Sequence, residues 1–171
     1  MTRFSPLPFD PGLGGARTGS RIEHWALFAV APMVDLTDEA AIRAAADALV
    51  DAELPESPAP PAGARHWYDV PRVEARRLLL RPLRFSLAYN VRALDAPAFA
   101  AADAFLAAFG PDARILSPIE GLGALLDDEG CRPRGGYAYA SSFLLTTATF
   151  EVGLVIVDWE RAGLFVATDE D

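Results

Sequence analysis

The sequence predicts an α+β fold: a single domain with a mainly antiparallel sheet and two principal helices packed on one face of it. Three observations lead there. Residues 37–54 and 95–109 carry apolar side chains at helical spacing. Leu83, Phe85, Leu87, Tyr89 and Val91 alternate strictly with Arg84, Ser86, Ala88, Asn90 and Arg92, the pattern of a half-buried strand. The chain beyond Phe143 is dense in Thr, Val, Ile, Leu and Phe, which suit a pleated surface.

Residues 1–20 read as a flexible arm, because Pro6, Pro8, Pro11, Gly12, Gly14, Gly15 and Gly19 leave no room for a regular element. The domain then covers 21–171. Residues 22–30 form a short buried strand, stopped by Pro32. Thr37 stands where a helix cap belongs, with Asp38 and Glu39 at the positive end of the dipole. Ile42, Ala45, Ala46, Leu49 and Val50 make that helix's apolar stripe, and it ends by Leu54, before Pro55. Residues 55–64 hold four prolines and read as a semi-stiff surface loop.

The alternating stretch 83–92 predicts a strand with its odd positions on the core, in a sheet with one wet face. Asp95 caps the second helix, with Pro97 in its first turn. Its stripe is Phe99, Ala102, Phe105, Leu106 and Phe109, and Gly110-Pro111 stops it. Residues 114–119 read as a strand broken at Pro118, 119–126 as a short helix weakened by Gly121 and Gly123, and 127–136 as a polar loop. Gly153 marks a bulge or a strand boundary. Residues 158–163 form a hairpin connection, so that 164–168 pair back on 154–157.

Composition narrows the function mainly by exclusion. All fifteen basic residues are arginine, glutamine is absent, Asn90 is the one asparagine and thirty-two residues are alanine. That usage points to a GC-rich bacterial genome. Without lysine there is no Schiff base and no P-loop lysine. A formal net charge of −9 sets the chain against nucleic acid and anionic membrane surfaces and in favour of a basic partner. The lone Cys131 excludes an internal disulfide. The N-terminus has no signal-peptide core, and the apolar run 25–34 is too short to span a bilayer. The expectation is a cytoplasmic protein with no membrane anchor. Charge is uneven: residues 65–94 carry +5 and the rest −14. Such arginines either meet acids inside the fold or face outward.

Candidate sites are few. Arg132 and Arg134 follow Cys131 and would favour its thiolate, but Tyr137 stands where a phosphatase-type loop needs arginine. His66 and Asp69 are spaced to orient one another, and His24 lies on the first strand, yet no metal-ligand spacing appears. Asp127-Asp128-Glu129 lacks the alternating oxygens of a calcium loop and reads as a solvated turn. Ser141-Ser142 has no nucleophile elbow. Trp67, Tyr68, Tyr137, Tyr139 and Trp159 sit in or beside loops, either as interface anchors or as lids over the core edge.

Two functions follow. The first is a non-enzymatic protein-binding module, in its sharpest form an acidic inhibitor or immunity protein that blocks a basic toxin. Its binding residues would be Asp158, Trp159, Glu160, Asp169, Glu170 and Asp171. The second is a small-ligand enzyme or sensor whose arginines hold an anion, with His66, Tyr68, Asp69, Arg84 and Arg92 at the site. The sequence leans away from catalysis, and no cofactor or metal is expected.

Overall fold

The computed structural model describes residues 22–29, 34–85, 87, 98–130, 144–147, 150–159 and 161–169, with 22–29, 150 and 169 as backbone. Among them, five strands form one antiparallel sheet: β1 (Ile22–Ala29), β2 (Tyr68–Asp69), β3 (Arg114–Ser117), β4 (Phe150–Val157) and β5 (Ala162–Asp169). Their order is β1-β5-β4-β3-β2. Three helices accompany them: α1 (Glu39–Glu53), α2 (Arg72–Arg84) and α3 (Ala98–Ala107). The class is α+β, as the sequence predicts.

The helices do not share a face. On one face, α1 lays Ile42, Ala46, Leu49 and Val50 on Leu116, Val155, Val157, Leu164 and Val166. On the other, α2 and α3 lay Leu79, Leu83, Ala102 and Phe105 on Ile115, Val152, Leu154, Ile156, Phe165 and Ala167. This corrects the expectation of two helices on one face. The reason lies in β4 and β5. Leu154–Val157 and Leu164–Ala167 are apolar without interruption, and neighbouring strand residues point to opposite faces, so both faces need cover.

The largest departure is at 83–92. Leu83 and Arg84 belong to the last turn of α2, which runs through Pro82. Leu83, Arg84 and Phe85 are all buried, so the alternation of exposure fails where it can be read; residues 86 and 88–92 lie outside the described part. A proline in the final turn removes one intrahelical bond near the end of the ladder, and helix packing against α3 outweighs that loss. Ala75, Leu78, Leu79 and Leu83, at helical spacing, carry that packing.

Smaller differences have local causes. Asp38, not Thr37, caps α1: its carboxylate accepts from the Ala40 and Ala41 N–H groups at 2.9 and 3.1 Å. Thr37 instead donates to Asp35. Asp95 and Pro97 lie outside the described residues. Gly153 is neither a bulge nor a boundary, because β4 pairs with β5 in unbroken register from Phe150↔Asp169 to Val157↔Ala162. Its missing side chain leaves the space that the Leu145 methyl occupies. On the opposite face, Gly163 makes the same room for the Phe109 ring.

Candidate functional site

The β4–β5 connection lies between the two layers and is tied to both. The Asp158 N–H donates to the Arg161 carbonyl at 2.7 Å and closes the turn. One Asp158 oxygen accepts from the Trp159 N–H at 2.7 Å and the other from the Gly110 N–H at 2.8 Å, just beyond α3. The Arg161 guanidinium donates to the Ala108 carbonyl at 3.1 Å. From the α1 side, the Val34 N–H donates to the Trp159 carbonyl at 3.3 Å. Arg72 closes the same end: it donates to the Leu106, Phe109 and Gly110 carbonyls, which a helix terminus leaves without intrahelical partners. Trp159 nonetheless remains 47% exposed. A large aromatic is thus held out to solvent on a backbone fixed from both sides.

Of the six candidate binding residues, Asp158 and Trp159 lie in this connection. Asp158 is a structural acceptor. Asp169 stands at the far end of the eight-residue β5, about 24 Å from the hairpin at the usual rise per strand residue. Glu160, Glu170 and Asp171 lie outside the described residues.

The described members of the alternative ligand set, His66, Tyr68, Asp69 and Arg84, are engaged with different partners. The His66 ring meets Tyr68 edge-on at 4.8 Å rather than turning to Asp69. Asp69 accepts from Arg114 and lies 3.7 Å from Arg43. Arg84 is 2% exposed, donates to the Glu129 carbonyl at 2.7 Å and stacks 4.6 Å from the Phe99 ring centroid. Arg92, Cys131, Tyr137, Tyr139, Ser141 and Ser142 lie outside the described residues, as does the side chain of His24.

Sequence reasoning missed a polar seam along α1. Glu39, Arg43, Asp47 and Asp51 recur at i,i+4 and face the segment 63–69. Asp47 is buried and accepts from the Trp67 indole N–H at 2.9 Å and the Gly63 N–H at 2.6 Å. Arg65, also buried, donates to the Asp47 carbonyl and to Asp51. Arg43 donates to the Trp67 carbonyl, and Arg114 joins Glu39 to Asp69. The signal was present as charged residues every fourth position on a helix. Trp67 is therefore core, at 1% exposure, and not an interface anchor.

The acidic turn 127–129 is solvent-exposed, as the sequence predicts, and is also paired to α2. Asp128 accepts two bonds from Arg77, and Glu129 accepts from Arg84. Electrostatics elsewhere follow local partners. The Arg76 guanidinium holds the Asp103 carboxyl below its ordinary range, and Thr37 does the same for Asp35. Burial pushes Glu151 up, although Leu145 and Thr146 donate three bonds to it.

Among the described residues, no three His, Cys, Asp or Glu side chains are grouped to hold a metal ion, and no helix is long and apolar enough to cross a membrane. Comparison with known proteins found no matching family model, no similar curated protein and no similar solved structure.

Proposed function

We propose that this chain is a non-enzymatic protein-binding module of a bacterial cytoplasm, in its sharpest form an acidic inhibitor or immunity protein that covers a basic site on its partner. One observation carries the reading: each arginine from 65 to 84 is met by a carboxylate or carbonyl of this chain. Arg65 meets Asp47 and Asp51, Arg76 meets Asp103, Arg77 meets Asp128 and Arg84 meets Glu129. Arg72 serves carbonyls at the end of α3, and Arg81 donates to the Leu87 carbonyl. A net charge of −9 then works at long range, where it speeds encounter with a cationic surface and rejects an anionic one. The exposed Trp159 adds the rigid aromatic that protein interfaces use as an anchor.

The test sets the two readings against each other. Anionic metabolites bearing phosphate or carboxylate are screened by thermal shift at millimolar concentration. Basic and acidic proteins of similar size are passed over the immobilised chain at two salt concentrations. The expected result is no thermal shift, with association confined to basic proteins and slowed by salt. A saturable shift by one anion, with no preference for basic proteins, would establish the small-ligand reading instead.

A further inference from the structure

The protein-binding reading leaves open where a partner docks and what it offers. Two internal arginines suggest the chemistry. Arg84 lies 4.6 Å from the Phe99 ring centroid while it bonds Glu129. Arg76 lies 5.5 Å from the same ring while it bonds both oxygens of Asp103. In each case a guanidinium has an aromatic face on one side and a carboxylate at its edge. A planar, forked cation satisfies both at once, which a lysine ammonium does less well.

The hairpin end offers the same two components at the surface. Trp159 is exposed on a backbone held by Asp158 and Val34. Asp35 follows Val34 directly, is exposed, and is bonded to Thr37 rather than to a cation. Asp112 lies two residues beyond Gly110, whose N–H is bound by Asp158, in a turn closed by the Ala113 N–H on the Gly110 carbonyl at 3.2 Å. Asp112 is exposed and makes no ion pair among the described residues. The one cation of the hairpin, Arg161, is turned to the Ala108 carbonyl. One exposed carboxylate therefore comes from each layer, within two residues of a bond that holds the hairpin.

Building on the protein-binding reading, we propose that the hairpin end is its docking surface, and that it takes an arginine side chain of the partner protein, stacked on Trp159 and met by Asp112 and Asp35. The fixed backbone lowers the ordering cost that usually weakens binding at a loop tip. Asp169, at the other end of β5, contributes only at long range.

Fluorescence anisotropy with labelled hexa-arginine and hexa-lysine peptides at low salt tests this. The arginine peptide is expected to bind several-fold more tightly than the lysine peptide. Trp159→Ala should weaken it about three- to tenfold, the range of a cation–π contact, and Trp159→Phe should restore most of the loss. Asp112→Asn and Asp35→Asn should each weaken it more than Asp169→Asn does. Thermal unfolding of each variant checks that the fold is retained. Equal binding of the two peptides, with Trp159→Ala unchanged, would overturn the docking site while leaving a salt-sensitive acidic surface and the protein-binding reading intact. A larger effect of Asp169→Asn than of Asp112→Asn would also overturn it, by moving the surface to the opposite end. Failure of both peptides to bind would overturn the docking site, and the protein-binding reading would then stand or fall on the association of basic proteins alone.

Discussion

The two faces of the sheet are built on different principles. The face under α2 and α3 is apolar where it meets the helices: Phe105 sits at its centre, edge-on to Phe109 and Phe165 at 5.8 and 5.9 Å. The face under α1 has an apolar cluster too, but buried polar groups surround it. Asp47, Arg65 and the Trp67 indole N–H join helix to loop, and Glu151 holds residues 145–146 over β4. Apolar contact is non-directional and tolerates a range of partners, whereas a buried charge demands particular donors in particular places. Among the described residues, the buried charges beneath α2 and α3, Arg81 and Arg84, are confined to the last turn of α2. Beneath α1 they lie between the helix and two loops and fix where those loops must lie.

The comparison can be broken or sharpened by mutation. The largest effect is expected on the apolar face. Phe105 is fully buried, so Phe105→Ala should cost about 3–5 kcal/mol in urea unfolding. A cost under about 1.5 kcal/mol would mean that this face collapses around the cavity and is less tightly packed than its ring contacts imply.

On the polar face, Asp47→Ala leaves the Trp67 indole and the Gly63 N–H without an acceptor and weakens the pairing of Arg65. The expected cost is about 3 kcal/mol. Hydrogen exchange should also rise along 63–67, while α3 stays protected. If Asp47→Leu proves as stable as the parent and leaves that loop protected, the contrast between the faces is lost.

Gly153→Ala comes next. A methyl group there runs into Leu145, and such overpacking costs about 1–3 kcal/mol. Leu145→Ala in the same chain should return part of it, which a double-mutant cycle would reveal as a coupling between the two positions.

The smallest effect is a pH slope. Glu151 has a raised pKa through burial, so the folded state holds that proton more tightly than the unfolded one. Its contribution is therefore fully present below the ordinary glutamate range and is lost as pH rises through the raised value. Glu151→Gln should flatten this slope, gaining stability relative to the parent as pH increases. Parallel stability curves for the two proteins between pH 4 and 8 would show that the three hydrogen bonds offset the burial.

The sequence by itself determined what local pattern and composition determine. It specified the antiparallel α+β class, the body of α1, the stripe of α3 with Ala102, Phe105 and Leu106 buried, and the β4–β5 hairpin that pairs 164–168 back on 154–157. Each rests on residues close together in the chain. Tertiary structure decided the rest, because the deciding partners are far apart in sequence. Leu83 and Arg84 alternate with their neighbours as in a strand, yet α2 keeps them helical because Leu78, Leu79 and Leu83 gain more from packing on α3 than Pro82 loses. The pairing of β1 with β5, which places β5 between β1 and β4, joins segments at opposite ends of the chain that no local period encodes. Arg76, Arg77 and Arg84 read in sequence as a block of positive charge. Only the fold, by bringing up Asp103, Asp128 and Glu129 from 27 to 51 residues away, paired that block within the chain and left Trp159 exposed at the hairpin.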